Sequence, residues 1–445
     1  MLSLRKILVF WLPLSATWIM MSVEGPFLAA IIARLPEPKH NLAAYGVAYA
    51  IALIVEAPII MIMSATTALV HNSETFLKVR KFIYTLNFIV TSLMAFLLVP
   101  DIFYFFTEKL IGLPYDVSHL TYKAVFILLP WPGAIGYRRF YQGVLIRCNL
   151  TRRVAYGTVV RLLAMSSTAL ILYKIFRVDG ALVGAASLSS AVVFEAIASR
   201  LMANKAVHML LAKTESADAI EQKLTSLSIT RFYYPLALTS MLGLGVQPLV
   251  TFFLGHSRMA LESLAVFPVV NSLVFIFRGV ALSYQEVGVA LLGKDNENYI
   301  PLRNFALILG ITIVLLLSLI ALTPLSSIWY LKVSGLSEEM THLAILPTQI
   351  LALLPGLTVL LVFQRSLLVT NKKTGHITVA TAIEVGTIIL ILLFAIRQLN
   401  IIGIIAAAIA LLTGRLLANS YLFIPCVMIL KKQKRITKFS FIGYF

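Results

Sequence analysis

Leu129-Pro130-Trp131-Pro132-Gly133, followed by Arg139-Phe140-Tyr141-Gln142, has an echo in the second half of the chain: Leu354-Pro355-Gly356, followed by Val362-Phe363-Gln364-Arg365. Gln142 and Gln364 stand 222 positions apart, with a one-residue slip at the Pro-Gly. The same shift carries Pro13-Leu14 onto Pro235-Leu236, Pro26 onto Pro248 and Leu42-Ala43 onto Leu264-Ala265. A register held through prolines and a glutamine in both halves marks an internal duplication.

What is duplicated is a set of apolar spans. The chain of 445 residues is 60% hydrophobic and 13% charged, with a mean hydropathy of +0.92. Soluble domains are about half apolar and about a quarter charged, so the excess must face lipid. Soluble enzymes, disulfide scaffolds and disordered regulators are excluded together. Spans are expected near 7-33, 42-69, 82-107, 121-146, 154-174, 180-203, 232-254, 262-292, 301-330, 342-370, 377-396 and 401-430, which makes twelve transmembrane helices. The fold class is therefore all-α integral membrane, because a barrel shows short alternating segments instead. The first span continues past Glu24 with no small-residue cleavage pattern and reads as an uncleaved helix.

The repeat offset covers six helices, an even number, so two six-helix bundles share one orientation and relate by an axis along the membrane normal. The expected division is an N-lobe at 1-203, a cytoplasmic linker at 204-229 carrying Lys213, Glu215, Asp218, Glu221 and Lys223, and a C-lobe at 230-445. With both termini cytoplasmic, the inner segments hold 22 Lys and Arg and the outer segments 9, which is the bias that orients helical membrane proteins. Most of the net charge of +18 is then topology, and no nucleic-acid partner is implied. Cys148, Cys426 and seven scattered histidines match no metal or redox spacing, so no metal and no cofactor is expected beyond a coupling proton or sodium ion. Nor does any connecting segment carry a phosphate-cradling glycine loop, and an ATP-driven pump is unsupported.

The spans contain six arginines and five glutamates: Arg138, Arg139, Arg161, Arg278, Arg365 and Arg415, with Glu24, Glu56, Glu195, Glu286 and Glu384. Each costs about 2.5–3.5 kcal/mol in lipid, so they face protein or water and point to a polar interior. Glu56 and Arg278 occupy the same position of the two repeats; either they line a central cleft, or Arg278 pairs locally with Glu286. Adjacent Arg138 and Arg139 diverge by about 100° around a helix. One is expected to meet an anionic ligand or a carboxylate and the other to tie to a neighbouring helix. Tyr137 and Gln142 lie beside them, and Gln247, Gln364 and Arg365 complete the candidate substrate contacts. Glu24 precedes Gly25-Pro26, where a locally broken helix frees backbone carbonyls; with Glu56 and Glu286 it forms the set of candidate ion-coupling carboxylates. Glu195 is expected near the inner surface. Pro26, Pro132, Pro248 and Pro355, repeated between halves, are candidate hinges.

The sequence resembles the multidrug/oligosaccharidyl-lipid/polysaccharide (MOP) exporter superfamily and has a MATE-like layout. Within it, the stretches Leu42-Ala43-Ala44-Tyr45-Gly46-Val47-Ala48-Tyr49 and Phe232-Tyr233-Tyr234-Pro235-Leu236-Ala237-Leu238, with Pro248 and Phe252-Phe253, are similar to the progressive ankylosis protein family. That resemblance implies alternating-access export of organic or phosphate-bearing anions of the citrate, nucleotide or pyrophosphate class, by a monomer in the cell membrane. The multidrug branch instead implies proton- or sodium-coupled cation efflux, and the superfamily also includes lipid-linked saccharide flippases.

Overall fold

The computed structural model describes residues 2–148, 150–176, 178–212, 225–293, 296–371 and 373–442. In chain order the helices are α1 (Leu4–Ser22), α2 (Glu24–Ile32), α3 (Pro38–Glu56), α4 (Ile62–Leu69), α5 (Ser73–Leu97), α6 (Pro100–Tyr104), α7 (Tyr115–Ile127), α8 (Trp131–Arg147), α9 (Thr151–Lys174) and α10 (Gly180–Ala212). The second half supplies α11 (Ser226–Leu244), α12 (Val246–Gly255), α13 (Ala260–Leu282), α14 (Tyr284–Leu291), α15 (Tyr299–Leu322), α16 (Leu325–Ser327), α17 (Glu338–Leu351), α18 (Leu354–Thr370), α19 (Gly375–Arg397) and α20 (Gly403–Ile442).

Among the described residues, eleven helical segments are long and apolar enough to cross a membrane, and the chain is a multi-pass integral membrane protein. The expected span at 121-146 is not among them. It is the pair α7 and α8, interrupted between Ile127 and Trp131 and made polar by Arg138 and Arg139. Its repeat partner, α17 with α18, is counted as one span over Glu338–Thr370. The third and ninth spans end earlier than expected, at Leu97 and Leu322, and Pro100 and Pro324 each stand at the start of a new short turn. Proline suits a helix start because its missing N–H has no partner there.

Local geometry bears out the duplication. Glu37 and Met259, 222 positions apart, both adopt left-handed backbone (φ 50° and 55°) immediately before α3 and α13. Four residues on, Asn41 Oδ1 accepts the N–H of Ala181 at the start of α10 (2.7 Å), and Ser263 Oγ accepts the N–H of Ile404 at the start of α20 (3.2 Å). A side chain at one repeat position thus caps the same later helix in each half. Single π-helical turns at Phe105–Leu110 and Ile328–Val333 repeat in the same way.

Packing divides the chain into two compact units, and the division differs from the expected lobes. An N-terminal unit comprises Ile31–Gly255, and a C-terminal unit comprises His256–Phe445 together with Met1–Ala30. Helix α1 belongs with α13 and α14: Trp11 Nε1 donates to Ser283 Oγ (2.8 Å), and Gly279 of α13 comes against Trp18 and Ser22 of α1. Helix α11 belongs with the turn after α3: Tyr233 Oη donates to Pro58 O (2.5 Å) and Ser240 Oγ to Ala57 O (2.6 Å). Small residues at the α1–α13 contact let backbones approach, and hydroxyls reach carbonyls freed at the helix break after Glu56. The residues 213–224 of the expected linker, with Lys213, Glu215, Asp218, Glu221 and Lys223, lie outside the described residues. On either side of them the chain is helical, to Ala212 and from Ser226.

Candidate functional site

In the N-terminal unit the charged side chains gather where α8, α9 and α10 meet. Glu195 on α10 is 1% exposed, so the expectation of a surface group fails. Its Oε2 pairs with Arg138 Nη1 and stands 3.9 Å from Arg161 Nη1, while its Oε1 accepts from Gln142 Nε2 (3.0 Å). Two guanidiniums and an amide therefore satisfy both oxygens of one buried carboxylate. Gly157 on α9 faces Glu195 and Ser199 at van der Waals distance.

Arg139, one position on, points elsewhere as the helical angle requires. It is half-buried, its Nη1 lies 4.0 Å from Met63 Sδ, its Nε has no hydrogen-bond partner, and it pairs with no carboxylate among the described residues. Glu56, buried at the end of α3, accepts a 2.5 Å hydrogen bond from Trp131 Nε1. Tyr137 stacks on Tyr84 and meets Tyr141 at a tilt, the hydroxyls of Tyr84 and Tyr141 meet at 2.9 Å, and Arg200 covers the Tyr141 ring. That places Tyr137 in an aromatic cluster rather than at the Glu195 centre. Gln247 is half-buried in α12 and joins neither group.

The C-terminal unit holds a second centre with the opposite arrangement. Glu384 on α19 and Arg415 on α20 are both buried, and Glu384 Oε1 accepts from Arg415 Nε (2.9 Å) and Nη2 (2.8 Å). Arg415 Nη1 reaches Thr358 Oγ1 on α18 (3.2 Å). In the N-terminal unit the base Arg161 is on α9 and the acid Glu195 on α10; here the acid is on α19 and the base on α20. The two halves thus carry the buried ion pair on equivalent helices with reversed polarity.

Arg365 donates to Thr381 Oγ1 (3.1 Å) and Gln364 Nε2 to Asn419 O (3.1 Å). Arg278 on α13 is half-buried, its Nε is without a hydrogen-bond partner, and it forms no ion pair among the described residues. Local pairing with Glu286 is not found, and Glu286 is exposed. Glu24 is buried at the first residue of α2, just after the break at Val23.

The candidate hinge prolines share one placement. Pro26 is third in α2, Pro132 second in α8, Pro248 third in α12 and Pro355 second in α18. All four sit in the first turn of a helix that restarts after a break, where proline is compatible with regular helix, rather than at kinks inside one. No group of three or more potential metal ligands occurs among the described residues.

No protein-family model matches the chain, and no curated protein matches its sequence. Solved structures do match. An inward-facing multidrug resistance MATE family transporter of the MOP superfamily aligns with a TM-score of 0.68 at 16% identity, over 94% of this chain and 99% of that one. The lipid II flippase MurJ in an inward closed conformation aligns at 0.67 and 14%, over 98% and 93%. A MOP superfamily transporter from Pyrococcus furiosus, described as having a binding pocket of reversed polarity, aligns at 0.65 and 15%, over 97% of both chains. The finer resemblance to the progressive ankylosis family finds no support in these matches. The chain has the MATE-like fold of the MOP superfamily along essentially its whole length.

Proposed function

We propose that the protein is a secondary transporter working by alternating access, and that it exports organic or phosphate-bearing anions. The observation that carries the sign of the substrate is the sorting of the buried guanidiniums. Arg138, Arg161 and Arg415 are engaged with Glu195 and Glu384, whereas Arg139 in one unit and Arg278 in the other form no ion pair within 4 Å among the described residues and feel Glu56, Glu195 and Glu384 only at longer range. A guanidinium held inside a membrane protein with no carboxylate in contact is stabilised by an anion that supplies one, through two parallel charge-assisted hydrogen bonds. Twelve membrane-crossing helices, the pair α7 and α8 supplying one of them, and rocking of the lobes complete the reading. The reversed pocket polarity attributed to the Pyrococcus furiosus neighbour supports a fold that accommodates more than one sign of charge.

A second reading rests on Glu24 and Glu56, both buried, which suit proton- or sodium-coupled efflux of cations. The likeness to multidrug resistance transporters supports it. Proteoliposome transport separates the two. Under the anion reading, Arg278→Gln lowers uptake of citrate, nucleotide or pyrophosphate at least tenfold, equivalent to about 1.4 kcal/mol of lost contact. Unchanged anion uptake in that variant, together with organic-cation efflux that fails in Glu24→Gln or Glu56→Gln, would establish the multidrug reading instead. A thermal-shift screen that includes prenyl-phosphate lipids tests the flippase alternative, since a ligand stabilises the native state by mass action.

A further inference from the structure

Within the C-terminal unit, a cavity of about 560 Å³ lies between α15, α18 and α20. Its size is that of a small-molecule site, ~300–1,000 Å³. Most of its lining is aliphatic, and several lining side chains on α15 and α20 are exposed apolar groups that face hydrocarbon in a membrane, so the cavity opens to the lipid.

The repeat bears on the shape of the space. In the N-terminal unit, Tyr84 on α5 stacks against Tyr137 on α8 and bonds the Tyr141 hydroxyl, while Phe88 one turn later stands exposed. At the 222-residue offset those two aromatic positions are Ala306 and Gly310, both lining the cavity. Where one half sets the Tyr84 ring against its fourth span, the other has only a methyl group.

Two polar groups interrupt the apolar wall. Gln364 is 4% exposed and lines the cavity. Its Nε2 is committed to Asn419 O, which fixes the amide orientation, and its Oε1 has no hydrogen-bond partner. A buried acceptor left unmet costs about 1–3 kcal/mol, which a ligand hydroxyl would relieve. At the rim stands Arg303, exposed, bonded only to the neighbouring Asn304 Oδ1 and paired with no carboxylate among the described residues. Arg303 belongs to the end of the span that carries the Lys- and Arg-rich flanks, where anionic head groups concentrate.

We propose that this cavity is a binding site for an anionic glycerophospholipid bearing a free hydroxyl: the acyl chain fills the aliphatic space, the hydroxyl donates to Gln364 Oε1, and the phosphate meets Arg303. The site is separate from the buried arginines of the transport reading and stands without it. The test is native mass spectrometry of the purified full chain titrated with lysophosphatidylglycerol, against three comparison probes. Lysophosphatidylcholine keeps the chain and hydroxyl but is zwitterionic, dioleoyl phosphatidic acid keeps the phosphate but lacks the hydroxyl, and glycerol 3-phosphate lacks the chain.

One equivalent of lysophosphatidylglycerol is expected to bind at least tenfold more tightly than any of the three. Gly310→Phe restores the bulk found in the other repeat, and an added Cβ there meets only ordinary contacts (Val359 Cβ at 3.8 Å, Gly356 O at 3.9 Å). That variant is expected to lose the bound lipid. Arg303→Gln, a surface change that leaves folding intact, should weaken lysophosphatidylglycerol at least fivefold and lysophosphatidylcholine, whose choline already offsets its phosphate, by less. Equal binding of the two lysolipids, or wild-type binding by Arg303→Gln, would overturn the assignment, as would retained lipid in a folded Gly310→Phe.

Discussion

The Glu384–Arg415 pair offers the sharpest test of the buried electrostatics. Glu384→Gln removes a carboxylate whose Oε1 accepts two donors from Arg415, and leaves that guanidinium, 8% exposed, with Thr358 Oγ1 and a neutral amide. Breaking one side of a buried pair costs about 3–5 kcal/mol, because the remaining ion keeps its desolvation penalty without its partner. At ~2–4 °C per kcal/mol for a folding unit of 150–250 residues, thermal unfolding should fall by roughly 6–20 °C. Arg415→Gln should cost a similar amount. The N-terminal unit shows that equivalent helices accept the reverse polarity, since Arg161 stands on α9 and Glu195 on α10. The exchange Glu384→Arg with Arg415→Glu should therefore recover at least half of the loss, and a double-mutant cycle closed with those two single charge reversals should give a coupling energy of about 2 kcal/mol or more. Tryptophan fluorescence of the purified protein during heating provides the readout. Single variants that each cost less than about 1 kcal/mol, or an exchange no more stable than the worse single, would refute the argument.

Two further outcomes follow from the structure. Trp131→Phe removes the donor to Glu56 Oε2 while keeping an aromatic ring; it should destabilise by about 1.5–3 kcal/mol, and the effect should largely vanish when Glu56 is already Leu. Cysteines placed at Lys332 and Lys373 should be labelled by a membrane-impermeant reagent from opposite sides, outer and inner respectively. Labelling from one side would discard the charge-based topology.

Hydropathy alone made the membrane class legible, since apolar runs bounded by charge leave helices as the only way to satisfy backbone groups in lipid. The duplication was legible too: the shift that joins Pro26 to Pro248 also joins Glu37 to Met259 and Asn41 to Ser263, whose geometry matches in both halves. What escaped the sequence were contacts between distant positions. Arg138 and Glu195 are 57 residues apart, and nothing local says which face of a helix as apolar as α10 turns inward. The grouping of α1 with the later helices had the same cause, for a span's composition states that it is buried in something apolar and not against which neighbour. The divergence of Arg138 and Arg139 was foreseeable because it depends only on helical angle. The prolines were visible, but whether each kinks a helix or begins one depends on where the preceding turn ends.

The reversed ion pairs also say something about ancestry. At the 222-residue offset Arg161 falls on Ile383 and Glu195 on Leu417, beside Glu384 and Arg415 rather than on them. The two pairs therefore arose at neighbouring and not identical positions, and neither half had to turn an acid into a base. Each half acquired its ions separately after the duplication, and an uncharged, well-packed pair in place of Glu384 and Arg415 should fold.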